Sequence, residues 1–92
     1  MNNPENKIIE KRNLIDKIDN QIFELFTKRF KLSNIIGNLK VAKKEPILDK
    51  SRQSYILSRL TNNFKDELEP EHIKILIEAI FTVSRDLQKL KK

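Results

Sequence analysis

The sequence predicts an all-α fold of three helices, long, short and medium in that order, with no sheet. Helix breakers are scarce: glycine occurs once, at Gly37, and proline three times, at Pro4, Pro46 and Pro70. The thirteen isoleucines recur at spacings of three and four, and strict alternation does not persist. Hydrophobic content of 38% beside charged content of 35% suits a soluble, surface-rich helical chain.

The first helix is expected from about Glu5 to Lys43, ended by "KKEP". Some 38 residues at 1.5 Å each span roughly 57 Å. A compact monomer of this size has a radius of gyration of only about 12 Å. A helix that overhangs its own domain needs a partner, so a homodimer is expected. Asp49 in "PILD" is a plausible N-cap for a short second helix through about Asn62. "NNFKDELEP" makes the next turn, and Pro70 suits the first position of a third helix running to about Leu90.

Composition bounds the function. Residues 1–92 make a single domain, one that buries only about 60–65% of its unfolded surface if it stands alone. Cysteine is absent and histidine occurs once, at His72, so neither thiolate chemistry nor a metal site is expected. His72 itself is expected to be a surface residue. No cofactor is called for. The longest apolar run falls far short of a membrane span, and "MNNPENK" lacks the apolar stretch of a secretory signal, so the cytoplasm is expected. The formal charge of +6 admits an anionic small molecule or nucleic acid. The fourteen lysines, however, are spread along the chain and interrupted by acids, so a nucleic-acid face is not expected.

The first helix carries cations where a core wants leucines. With about 100° per residue and Ile8 at zero, Ile15, Ile18, Ile22, Leu25, Phe26, Leu32 and Ile36 fall between about 240° and 360°. Arg29 lands at about 300° and Lys40 at about 320°, inside that arc, while Arg12 falls at about 40° on its flank. An unpaired buried cation costs several kcal/mol, so these side chains must be paired, snorkelled to solvent or turned to a polar cavity. Lys11 shares the azimuth of Arg29 near the helix start, so periodicity alone does not make a site. Arg29 and Lys40 are about 17 Å apart along the axis, close enough to converge on a small ligand between them. Arg12 lies about 26 Å from Arg29. It can join that ligand only from a partner chain lying antiparallel, which makes a composite site present twice.

On the third helix, Ile73, Leu76, Ile77, Ile80, Val83, Leu87 and Leu90 mark the packed side, with Ser84 and Gln88 one turn apart on its edge. Asp49, Arg52 and Gln53 occupy the cap and first turn of the second helix. Tyr55, Ile56, Leu57 and Leu60 are expected to pack that helix down and aim Arg52 or Gln53 inward. Arginines hold carboxylates in a bidentate fork, and lysine and glutamine donate to single oxygens. The inventory therefore suits a small ligand with two negative groups and further oxygens. No nucleophile–base pair accompanies it, so it fits binding alone, or a reaction driven by shape and charge without proton transfer.

The same residues carry a family likeness. Arg12 is followed by Ile15, Ile18 and Asp19. Leu25, Phe26, Arg29, Leu32, Ser33, Ile36, Gly37 and Lys40 come next, then "PILD" with Arg52 and Gln53, and finally Ser84 and Gln88. In this ordered set the chain resembles the all-helical, type II chorismate mutases of the monofunctional bacterial form, from about Ile8 to about Gln88. That resemblance implies an intertwined homodimer with two sites and a substrate, chorismate, that is a dianionic small molecule. The implied reaction is a Claisen-type rearrangement to prephenate on the route to phenylalanine and tyrosine.

By the same resemblance, Arg29 grips one carboxylate and the partner chain's Arg12 the other. Lys40 and Gln88 donate to the ether oxygen of the breaking bond. Arg52 supports carboxylate binding with Ser84 nearby, and Asp49 lies by the ring hydroxyl and orients the lysine. Gln53 departs from the pattern, because bacterial members commonly carry glutamate there to accept a hydrogen bond from that hydroxyl. Gly37 fits either a close helix approach or ligand clearance. Two alternatives carry the same cations: an isochorismate pyruvate lyase of the same fold, and a non-catalytic basic helical dimer. With 92 residues, no appended regulatory domain is expected.

Overall fold

The computed structural model describes residues 3–90, the side chain of Leu90 excepted. It consists of α1 (Pro4–Ala42), α2 (Lys50–Asn63) and α3 (Pro70–Leu90), with no strand among the described residues. The chain divides into two compact units, one up to Lys31 and one from Leu32 onward, each described by itself below.

In the first unit α1 starts one residue ahead of expectation. The Asn3 side chain accepts a hydrogen bond from the Asn6 N–H at 2.8 Å, satisfying one of the donors that a helix start leaves open. Pro4 then takes the first helical position, where its missing N–H costs nothing. Farther along, the rings of Phe23 and Phe26 meet edge to face at 5.5 Å, and Phe26 and Phe30 stack at 6.1 Å, at spacings that bring helical side chains together. The apolar stripe is present but uncovered: Ile8, Ile15, Ile18, Ile22 and Leu25 are between 39% and 61% exposed.

In the second unit α1 ends through a Schellman motif. The Glu45 N–H donates to the Lys40 carbonyl at 2.8 Å and the Lys44 N–H to the Val41 carbonyl at 3.0 Å. Lys44 sits at φ 59, the left-handed conformation that this motif requires and that usually selects glycine. Pro46, two residues on, cannot resume the helix. Asp49 then caps α2 as expected. The Phe64 N–H closes that helix on the Leu60 carbonyl at 3.0 Å.

The core of this unit is the seam between α2 and α3. Ile56, Ile73 and Ile77 are buried, and Leu57, Leu60, Ile80 and Phe81 are half-buried. His72 is exposed, as expected of a surface residue, and its Nδ1 accepts the Glu69 N–H at 3.3 Å. Two packing expectations are corrected. Tyr55 is 54% exposed, because positions 52, 55 and 59 share a helix face a quarter-turn from Ile56. Its ring lies under the guanidinium groups of Arg52 at 5.3 Å and Arg59 at 5.7 Å. On α3 the chain covers only the stripe through Ile73, Ile77 and Ser84, leaving Leu76, Val83 and Leu87 exposed. The Leu90 side chain lies outside the described residues. Among the described residues, no helix is long and apolar enough to cross a membrane.

The strained cap gives a direct test. Lys44→Gly should raise unfolding stability by roughly 1 kcal/mol, the left-handed cost relieved less glycine's extra entropy when unfolded. Urea denaturation measures it, and a loss of stability would contradict the cap geometry.

Candidate active site

The residues singled out in the sequence fall into two groups. Arg12 and Arg29 belong to the first unit, Arg12 exposed and Arg29 half-buried on α1. Lys40, Asp49, Arg52, Gln53, Ser84 and Gln88 belong to the second, which brings most of them together through two local constructions.

The first is the join between α1 and α2. The two carboxylate oxygens of Asp49 have different tasks. Oδ1 accepts the Arg52 N–H at 3.0 Å and the Ser51 hydroxyl at 2.8 Å, which caps α2. Oδ2 faces the Lys40 ammonium at 3.9 Å. Lys40 Nζ also donates to the Ile47 carbonyl at 3.4 Å. Both approaches are long, and an ammonium carries three donors, so Lys40 keeps donor capacity for a further acceptor. Lys40, Glu45, Pro46 and residues 48–51 line an open depression of about 530 Å³. The Arg52 N–H, then the Ser51 hydroxyl, hold the Asp49 carboxyl below its ordinary value of 3.8, with the Lys40 charge adding to them and desolvation opposing. Of the two side chains next in line, Gln53 is half-buried, whereas Arg52 is exposed with its guanidinium over Tyr55.

The second construction joins the last turns of α1 to the end of α3. The Ser33 and Ser84 hydroxyls are 2.8 Å apart, and Ser84 is 8% exposed. One turn along α3, Gln88 Nε2 donates to the Ser33 carbonyl at 3.2 Å. Gln88 lies directly over Gly37, where a Cβ would stand 3.2 Å from Nε2. Ser33, Gly37 and Lys40, at i, i+4 and i+7, share one face of α1. Lys40 therefore emerges about 4.5 Å along the axis beyond the point where Gln88 touches the helix. Two hydrogen-bond donors, an ammonium and a carboxamide, stand on the same face.

Sequence reasoning gave Ser33 and Ser51 no role. Ser51 was legible as the second residue after a capping Asp, a position where hydroxyls commonly close the turn. Ser33 carried no such signal, because its partners are 51 and 55 residues away. For Gly37, of the two uses left open, the close approach of another helix's side chain is the one observed.

Three comparisons bear on this arrangement. The family model for chorismate mutase type II matches residues 11–89. A chorismate mutase from Methanocaldococcus jannaschii is 33% identical over 84 residues, covering 90% of this chain and 85% of the relative. A bifunctional chorismate mutase/prephenate dehydratase from Buchnera aphidicola is 34% identical over 85 residues, 91% of this chain but 22% of that protein. Among solved structures, a form II chorismate mutase from Thermus thermophilus superimposes with a TM-score of 0.86 at 28% identity, over 94% of this chain and 98% of that one.

The depressed carboxyl of Asp49 predicts a pH dependence. Its contribution to stability is complete above 3.8, the ordinary value, and is lost as pH falls through the lower value of the folded state. Asp49→Asn keeps a capping oxygen without the titration. Thermal melts from neutral pH to below 3.8 should therefore show wild type losing more stability than the variant. Parallel losses would contradict the charged cap.

Proposed function

The chain belongs to the type II chorismate mutase family, and on that premise we propose how its residues carry the reaction. It is an isomerase that rearranges chorismate to prephenate, a step toward phenylalanine and tyrosine. The rearrangement is pericyclic: a carbon–oxygen bond breaks as a carbon–carbon bond forms, with no proton transferred and no covalent intermediate. The protein's task is to hold the reactive conformer and to stabilise the charge that develops.

In this proposal Arg29 and the partner chain's Arg12 clamp the two carboxylates in charge-assisted forks, which draws the enolpyruvyl chain over the ring. Arg52 and Ser84 assist carboxylate binding. As the carbon–oxygen bond lengthens, negative charge gathers on the ether oxygen, and Lys40 and Gln88 donate to it. Their bonds strengthen in the transition state, so they lower the barrier rather than only tighten binding. Asp49 steers the lysine and sits by the ring hydroxyl. Gln53 accepts from that hydroxyl through its amide oxygen, a neutral bond weaker than a carboxylate's by about 1 kcal/mol.

The observation that carries this reading is the pairing of donors on one face of α1: Gln88 against Gly37, and Lys40 one turn beyond. The homodimer belongs to the same proposal. Its support is the uncovered apolar stripe of α1 and the second exposed stripe of α3, with Ile56, Ile73 and Ile77 the buried hydrophobics among the described residues. Apolar surface exposed on this scale marks an interface. Light scattering should give about twice the 10.9 kDa chain mass.

The activity is tested by following chorismate loss with product identification. Wild type should yield prephenate. A transition-state donor contributes about 3–4 kcal/mol, so Lys40→Ala should slow turnover roughly a hundredfold or more. Salicylate and pyruvate from isochorismate, with chorismate untouched, would overturn the reaction. Unchanged turnover in Lys40→Ala would overturn the mechanism.

A further inference from the structure

Gly37 stands in the interior of α1, where glycine is among the poorest helix formers. Its backbone does not require it, since no glycine among the described residues has positive φ. The requirement is space. A Cβ at this position would lie 3.2 Å from Gln88 Nε2, which would have to give by a few tenths of an ångström, with Gln88 Cδ in ordinary contact at 3.5 Å.

The contact also has a chemical direction. The atom that Gln88 presents to α1 meets the Ser33 carbonyl, which only accepts, so the amide nitrogen faces the helix. Rotating the amide by half a turn would set oxygen against oxygen. With one N–H engaged by Ser33, the other remains to donate elsewhere. The Ser33 hydroxyl, 2.8 Å from the Ser84 hydroxyl, ties α1 to α3 one turn before Gln88 and so sets where that carbonyl stands. A side-chain amide otherwise has two nearly equivalent orientations, and the Ser33 carbonyl selects the one with nitrogen against α1.

We infer that Gly37 and Ser33 are positioning residues that lock the Gln88 amide as a donor, Gly37 by clearance and Ser33 by its carbonyl and hydroxyl. This rests on the reading that Gln88 donates to the breaking ether oxygen. Neither residue touches substrate; both act through Gln88.

The test is a double-mutant cycle on the full chain, with kcat and KM for chorismate measured beside thermal melts. Alanine is a better helix former than glycine, so Gly37→Ala should stay folded. A displacement of this size should lower kcat roughly tenfold and leave KM within about twofold. In a Gln88→Ala background the same change should cost nothing further, since no amide remains to misplace. An equal loss of kcat in both backgrounds would overturn the inference, because a general disturbance of α1 acts whether or not Gln88 is present. Should Gly37→Ala fail to fold, Ser33→Ala carries the same test, with a severalfold fall in kcat expected only where Gln88 is intact. The outcomes separate two failures. A wild type that leaves chorismate unchanged, or a Gln88→Ala that matches wild type, overturns the underlying reading and this inference with it. A slow Gln88→Ala beside an unaffected Gly37→Ala and Ser33→Ala overturns the positioning alone.

Discussion

An apolar stripe on a 39-residue helix, left open by the chain that carries it, is the constraint on which the rest depends. Exposed apolar area costs about 25 cal/mol per Å², so a stripe that runs from Ile8 past Leu25 demands cover. In the proposed homodimer a second chain supplies that cover, and there Arg12, Arg29 and Lys40 come to matter. A cation set within a stripe that becomes an interface loses water on assembly, and it is tolerated there only with an anionic partner. In the proposed enzyme the substrate's carboxylates are what Arg12 and Arg29 grip, while the Asp49 carboxylate faces Lys40 within the chain. The interface that stabilises the fold and the cavity that binds the dianion are then one feature.

The chemistry asks little of the protein beyond this. With no proton to move, the site needs no base, metal or redox group, only anchors for two carboxylates and donors at one oxygen. In the proposed reaction the second unit supplies the donors, through two small devices at opposite ends of the same helix face. At one end Asp49 divides its oxygens between capping α2 and facing Lys40. At the other, the Ser33 carbonyl and the bare Cα of Gly37 hold Gln88. Local stability is given up at both, in a left-handed Lys44 and in a glycine inside a helix.

Legibility from sequence followed the range of the interaction. Helix bounds came within a residue or so, because Pro70, Asp49 and the "KKEP" stop act over one turn. Lys40 stood out because a cation on an apolar arc is conspicuous, and Asp49 because it stands where a helix cap is expected; Ser84 and Gln88, on the edge of a packed side, drew attention mainly through the family likeness. Ser33 was not, since a helical serine resembles any other until α3 arrives beside it. Lys44 was hidden for another reason: a lysine carries no mark of left-handed backbone, and only the hydrogen bonds of Glu45 and Lys44 reveal the motif. Tyr55 misled because an aromatic ring reads as core. Here it is a surface platform for two arginines instead.

The most direct measurement of the composite site mixes two defective chains. In a dimer of Arg12→Ala with Lys40→Ala, one site takes its lysine and its arginine from the two undamaged positions, and the other lacks both. Random exchange makes half the dimers mixed, so an equal mixture, co-refolded from denaturant, should recover about a quarter of wild-type chorismate turnover, though either variant alone is nearly inactive. Turnover no higher than that of the separate variants would show that Arg12 serves its own chain's site, and the account built on a shared one would fail.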